Sequence, residues 1–372
     1  MPESHAPRVL VLGAGERGKE IVSAFARLGA HVFAADSFVN APAAQVTPQS
    51  FAFDLGDERL LQALLDKVDP TFVVPCNEQP HPQVLARFAQ ESGSVVPSGA
   101  CMDFVFDRSK MLTVAARELG LPTPRFGTAS TPEQLEAALD LVGLPVVISP
   151  LNRISLLDGH VAATHEQAHA VMARFSAAGE SVLVERKLEA DAEIVLCAAR
   201  SIDPRTGKLA TWYLEPIGYE DGVSFQPCEL SERALDNARS VAARIAGAIG
   251  GRGIYGVELS VAGDDVYFSG VTPFPHRVGA VTAVTQRLSD CEIFARAVLG
   301  LPLDATLISP GAACVVDYED TIGYAEMAAA LSQPESELAV GSHQAVGLAT
   351  AETTDEALTR ARAVAQAVRP RP

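Results

Sequence analysis

From Arg8 to Pro97 the chain alternates short, largely apolar runs with longer stretches in which apolar residues recur every three or four positions. Val9–Leu12, His31–Asp36, Thr71–Pro75 and Ser94–Pro97 read as buried strands, and Lys19–Leu28, Arg59–Lys67 and His81–Glu91 as amphipathic helices between them. Strands and helices in that order predict an α/β fold with a parallel, doubly wound sheet. A further helical pattern, Asp107–Leu119, stops at Gly120-Leu121-Pro122, where a glycine and a proline end it.

The pattern then changes. Thr131 is placed to cap a helix that has Pro132 at its first position. Short strands are expected at Val146–Ser149, Val182–Glu185, Glu193–Ala199 and Leu209–Leu214. A long helix, Glu232–Ile249, precedes strands Gly253–Val261 and Asp265–Val271, joined by the turn Ala262-Gly263-Asp264. From about Leu303 a smaller tail follows, with strands at Cys314–Tyr318 and Ala345–Ala351 and helices at Tyr324–Leu331 and Thr354–Val368. No internal repeat or low-complexity linker interrupts this order.

Composition narrows the class. With 372 residues, 48% hydrophobic and 20% charged, the chain suits a globular enzyme of two or three domains. No apolar run approaches the 18 or so residues that span a bilayer, so no membrane partner is expected. The N-terminal apolar run is short, ends in glycines and lacks a basic lead, which reads as a first strand rather than a targeting signal. Six cysteines without a CxxC pair suggest free thiols and a cytoplasmic setting. A net charge of −17 argues against a general nucleic-acid partner, because nothing offsets phosphate repulsion.

Four segments carry candidate chemistry. Gly13-Ala14-Gly15-Glu16-Arg17-Gly18 matches GxGxxG between a strand and a helix, and Asp36 ends the next strand, where a dinucleotide fold would hold its ribose. His165-Glu166-Gln167-Ala168-His169 is a literal HExxH, which on one helix face would grip zinc; the plainer reading is an exposed face above a core stripe of Ala168, Val171, Met172 and Phe175. Glu258 lies in an apolar strand, where a carboxylate is costly unless it meets a cation or hydrogen bonds. Glu185-Arg186-Lys187-Leu188-Glu189 with Glu193 is either a solvated rim or a ligand contact.

Taken together, these pieces resemble the ATP-grasp superfamily and, within it, the formate-dependent glycinamide ribonucleotide transformylases. The resemblance rests on RVLVLGAGERGKE, ADSFVNAPA, ARELGLPTPRF, GVELSVAGDDVYFSGVTPFPHRVGAVT and LATAE, and covers nearly the whole chain. It implies a Rossmann-like domain over residues 1–108, an ATP-grasp domain over 109–302 and a small barrel-like domain over 303–372. It further implies that the first glycine loop, with Gly15, Glu16 and Arg17, meets an amine substrate together with Glu78. Arg108 matches an arginine near the nucleotide phosphates, Glu185 and Glu193 match positions near adenine and ribose, and Glu258 matches a Mg²⁺-binding glutamate.

Several positions depart from the family's pattern. Ser149 stands where a phosphate-contacting lysine is expected, and Asn152–Asp158 replaces a glycine-rich loop. Gly270 replaces the second Mg²⁺ glutamate, Phe274 an arginine and Arg277 an aspartate. Around Gly341–Gln344 an arginine pair for a ribonucleotide phosphate is missing, and no lysine follows Lys208. Phosphoryl transfer depends on cations at the transferring oxygens, and losing one such stabiliser costs about two to three orders of magnitude in rate. The departures therefore predict a homologue that has lost ATP-dependent formylation and binds a different, non-phosphorylated small molecule, with no cofactor expected. In that reading His276, Glu258 and Arg277 form the reactive group, with His276 as proton carrier or merely structural, and Arg277 paired to Glu258 in place of metal. The alternatives are an active ATP- and Mg²⁺-dependent carboxylate–amine ligase with an altered nucleotide loop, or a silent partner of an active relative. The family resemblance implies a homodimer.

Overall fold

The structure, a computed structural model, describes residues 6–77, 79–91, 93–151, 159–318 and 321–369. Its first sheet contains β1 (Arg8–Leu12), β2 (His31–Asp36), β3 (Ser50–Ala52), β4 (Phe72–Pro75) and β5 (Ser94–Val95), all parallel, in the order β3-β2-β1-β4-β5. Helices α1 (Glu16–Arg27), α2 (Glu58–Val68) and α3 (Pro82–Glu91) cross between the strands. Alternation along β1 sends Val9 and Val11 into one apolar cluster and Leu10 and Leu12 into another. Both faces are thus covered, which is why the strand reads as an unbroken apolar run.

The helix expected over Asp107–Leu119 begins one residue later and is preceded by another. Helix α4 (Gly99–Phe106) ends and α5 (Arg108–Arg117) starts at Asp107, whose side chain accepts from the Lys110 N–H. An aspartate at such a junction caps the second helix, and that cap fixes where Arg108 enters the interior.

Two further sheets follow. The smaller has four strands, β6 (Phe126–Ala129), β7 (Val146–Pro150), β8 (His160–Ala162) and β9 (Val182–Arg186), in the order β6-β9-β7-β8. Helices α6 (Pro132–Val142) and α7 (His165–Ser176) pack together on it. The larger sheet contains β10 (Ala192–Ile202), β11 (Leu209–Tyr213), β12 (Ile217–Glu220), β13 (Val223–Gln226), β14 (Gly253–Ala262), β15 (Asp265–Thr272), β16 (Gly311–Asp317), β17 (Ser336–Val340) and β18 (Gln344–Thr350). Its path is β15-β14-β10-β12-β13-β16-β18-β17, with β11 paired to β10. The last three strands of the chain thus extend the sheet begun by β10. Helix α8 (Glu232–Ile249) covers the β14 face that carries Tyr255, Val257, Leu259 and Val261. Helix α9 (Thr282–Thr285) packs on β16 and β18, α10 (Asp290–Leu299) lies between α1 and strands β10 and β14, and α11 (Tyr324–Ala330) and α12 (Thr354–Ala367) cover the C-terminal strands.

The hairpin β12–β13 had no counterpart in the sequence pattern. Asp221 and Gly222 both have positive φ, 49° and 78°. An Asp-Gly pair between extended segments is a strong hairpin signal, and here it was the legible clue.

Candidate active site

Strand β14 builds one wall of a cleft. Its alternation, with Tyr255 and Val257 under α8, leaves Gly256, Glu258 and Ser260 on the opposite face. A β-bulge at Glu258/Leu259 leaves Ser269 of β15 as the extra residue, between Gly270 and Phe268. The Ser269 carbonyl thereby accepts from Arg108 at 3.3 Å.

Arg108 is fully buried and ties four elements together. Besides Ser269 it donates to Ser149 Oγ on β7 at 2.8 Å and to Glu185 Oε2 on β9 at 3.0 Å. Burial raises the Glu185 pKa; Arg108 opposes this, and the nearby Glu258 adds to it. Glu185 Oε1 is buried with no hydrogen-bond partner among the described residues, an acceptor open to a ligand donor. Glu258 is 5% exposed, and its Oε1 lies 3.0 Å from His276 Nε2. The Val278 N–H donates to His276 Nδ1 at 3.2 Å, so the ring proton sits on Nε2 and is donated to Glu258. Gly256 makes this possible: a Cβ there would lie 3.2 Å from that of His276. Ser260 Oγ donates to Glu193 Oε2 at 2.8 Å; desolvation in the cleft still raises the Glu193 pKa. The cavity lined by Glu185, Lys187, Glu193, Glu258 and His276 measures about 530 Å³.

A second cavity, about 380 Å³, lies between α1, α10 and the C-terminal strands. Gly15 caps α1, and Glu16 and Arg17 open it. The Ser342 N–H donates to Glu16 Oε1, and a Cβ on Gly341 would fall 2.2 Å from the Glu16 carboxyl carbon. The tip of the β17–β18 hairpin therefore rests on Glu16. Arg17 binds Asp290 at 2.6 and 2.5 Å. Burial works to lower the Arg17 pKa, and Asp290 more than offsets it, so it rises. Nothing in the sequence had singled out Asp290; the visible signal was only the capping box Ser289/Glu292 around it. Glu78 and the segment 152–158 lie outside the described residues.

Two sequence motifs resolve into structural roles. Asp36 accepts from the Ala14 N–H at 2.5 Å and the Ser37 N–H at 2.7 Å, which commits both its oxygens to the chain itself. The HExxH histidines hold the neighbouring helix: His165 Nδ1 lies 2.8 Å and His169 Nε2 2.5 Å from the two oxygens of Glu136 on α6. Among the described residues no His, Cys, Asp and Glu cluster is arranged to hold a metal ion by itself. All six cysteines are free, and burial pushes Cys76 and Cys101 up to about 12.

The comparisons with known proteins agree with this architecture. Residues 114–291 match the ATP-grasp domain model. Over 389 residues the chain is 41% identical to a formate-dependent phosphoribosylglycinamide formyltransferase of Corynebacterium glutamicum strain R, covering 99% of this chain and 95% of that protein. The chain belongs to this family. A relative of the same name from Paraburkholderia xenovorans is 38% identical over 98% of this chain and 96% of its own. The solved structure titled glycinamide-RNase-transformylase T from Mycobacterium tuberculosis superposes with a TM-score of 0.84, at 34% identity over 97% of this chain and 99% of that one. N5-carboxyaminoimidazole ribonucleotide synthetase from Thermotoga maritima shares the fold, with a TM-score of 0.81 at 20% identity over 98% and 99% of the two chains.

Family membership over the full length overturns the expectation of a homologue that has abandoned ATP-dependent formylation for another, non-phosphorylated ligand. That expectation rested on Ser149, Asn152–Asp158 and Gly270 standing where a lysine, a glycine-rich loop and a carboxylate were expected. The Arg108 guanidinium at Ser149 Oγ puts a buried cation at the same strand end. One further expectation is corrected by geometry. Arg277 does not share the cleft of Glu258, which takes its hydrogen bond from His276; Arg277 lines the second cavity instead. His276 is engaged at both ring nitrogens, with Glu258 on one side and the Val278 N–H on the other. No helix among the described residues is long and apolar enough to cross a membrane.

Proposed function

We propose that this chain is an ATP-dependent carboxylate–amine ligase that joins formate to the amine of glycinamide ribonucleotide, the activity named for its full-length relatives. Activating a carboxylate with ATP and then presenting it to an amine calls for two neighbouring cavities. The cleft around Glu258 and the cavity around Glu16 have that relation, since His276 lines the first and Arg277, next in sequence, the second.

The observation that carries the reading is the cleft wall formed by Glu185, Glu258 and His276, with Arg108 buried behind it and bonded to Glu185. Its residues fit a nucleotide and a divalent cation. Glu185 Oε1 offers an unpaired buried acceptor, and Glu258 is an oriented carboxylate, where Mg²⁺ on a nucleotide needs about one or two. Glu258 would hold Mg²⁺, which when bound neutralises charge on the transferring phosphoryl group. Arg108, fixed through Ser149, Glu185 and Ser269, supplies a cation that needs no reorganisation during the reaction. His276 holds Glu258 in its rotamer. In the second cavity Glu16, Glu20 and Glu337 are carboxylates available to orient an amine.

The test is ADP release by the purified full chain supplied with ATP, Mg²⁺, formate and glycinamide ribonucleotide. Turnover is expected only when both formate and the amine are present, and Glu258→Gln should lower it by about 10²- to 10³-fold. No formylated product, or full turnover in Glu258→Gln, would overturn the reading.

A further inference from the structure

Strand β11 is the part of the large sheet that a single chain leaves least covered. It pairs with β10, from Ala198 opposite Tyr213 to Ile202 opposite Leu209. Among the described residues no strand meets its other edge, and Leu209–Tyr213 make no backbone hydrogen bond outside this pairing. None of its five residues is buried, although Leu209 and Trp212 are among them. Leu209 is 39% exposed. Trp212, the only tryptophan of the chain, joins none of the packed apolar clusters among the described residues.

Natural sheets protect such an edge with a charge, a proline or a covering segment. Elsewhere in this sheet those devices are present. Glu337 stands in β17, and on β15 the Phe268 N–H donates to the Pro122 carbonyl at 2.8 Å. The run Leu209–Leu214 contains neither charge nor proline. The strand is also held in place. In the turn that leads into it, the Gly207 N–H donates to the Asp203 carbonyl at 2.8 Å, and the Asp203 N–H to the Lys208 carbonyl at 2.9 Å. On one face Ala210 and Trp212 lie opposite Ser201 and Ala199, and Ser201 Oγ donates at 2.7 Å to the carbonyl of Leu301, an exposed residue. Apolar surface therefore continues from the strand onto the segment after α10.

We propose that β11 pairs antiparallel with β11 of a second copy of this chain across a twofold axis. The charges at the strand ends select this partner and this direction. Lys208 precedes the uncharged run and Glu215 follows it. Antiparallel pairing of two copies brings each lysine to the end that holds the other copy's glutamate, whereas a parallel copy would bring like charges together. Twofold symmetry satisfies both edges in one step and leaves no open strand to recruit a third chain. The joined edges exchange main-chain hydrogen bonds, and each copy covers the other's Trp212, a residue type that carries much of the energy of protein interfaces. The inference goes beyond the proposed reaction and does not depend on it, because no residue of β11 lines either cavity.

The test uses the full chain and its single tryptophan. Analytical ultracentrifugation should show the wild type as a dimer at micromolar concentration. Dilution that dissociates it should move Trp212 emission to longer wavelength as the indole meets water. Ala210→Asp and Ala210→Lys set like charges on both sides of the axis, and each should raise the dimer Kd at least about 10-fold. An equimolar mixture of the two variants should restore association, which also shows that both are folded. A monomeric wild type over that concentration range would overturn the proposal and leave the edge to a different partner. A dimer equally tight in both variants would place the contact elsewhere and overturn it as well. Should the variants misfold, the wild type decides alone, and dissociation without a shift in Trp212 emission counts against the proposal.

Discussion

The cleft around Glu258 and the cavity around Glu16 use the same residue types in opposite ways. In the cleft the charged groups constrain one another inside the sheets: Arg108 holds Glu185 and Ser149, and His276 holds Glu258. In the cavity the Arg17–Asp290 pair joins α1 to α10, and a hairpin tip resting on Glu16 forms another part of the wall. The first arrangement is preorganised and depends on burial, whereas the second depends on a surface contact that a ligand can displace. This difference suits a reaction in which one site must stabilise developing charge and the other must admit and release a substrate.

The comparison breaks most directly at Arg108. Arg108→Met leaves Glu185 buried without its cation and should cost about 3–5 kcal/mol of stability, measured by denaturant unfolding. A loss below about 1 kcal/mol would mean the cleft is no more rigid than the cavity.

Acid titration sharpens the same point with a smaller effect. The Glu185 pKa is raised in the folded protein, so as pH rises from about 4.5 the unfolded chain loses this proton first. The folded state then binds more protons, and stability falls through the interval between the ordinary carboxylate value and the raised one. Unfolding free energy measured against pH should show this downward slope in the wild type and a shallower one in Glu185→Gln. Identical slopes would remove Glu185 as its source.

The smallest effect belongs to the hairpin. Gly341→Ala places a Cβ against the Glu16 carboxylate, which must swing away and give up the Ser342 N–H. Because the displaced atoms end a flexible side chain, the cost should be about 1 kcal/mol, read as a small drop in Tm. A loss as large as that of Arg108→Met would show the tip to be part of the rigid core.

Much of this was legible in the chain and some was not, for identifiable reasons. The parallel sheet followed from apolar runs such as Val9–Leu12, because burial on both faces leaves a mark in every residue. Glu258 stood out because a carboxylate among Val257, Leu259 and Val261 demands a partner. Its partner is His276 and not the adjacent Arg277, because the backbone direction that sends the two into different cavities is set by contacts to Glu258 and Val278. The contacts that hold Arg108 were hidden for the same kind of reason, since Arg108 and Glu185 are 77 positions apart.

The sequence by itself determined most of the longer elements, the family and the identity of charged residues such as Arg108, Glu185 and Glu258. Periodicity and local capping act within a few residues and survive in the one-dimensional record. Only the tertiary structure decided which charges neutralise one another: Arg17 meets Asp290 across 273 positions, and Arg277 meets no protein group among the described residues. Coulombic and hydrogen-bond energies depend on distance and burial in space, and neither is written in the spacing of residues along the chain.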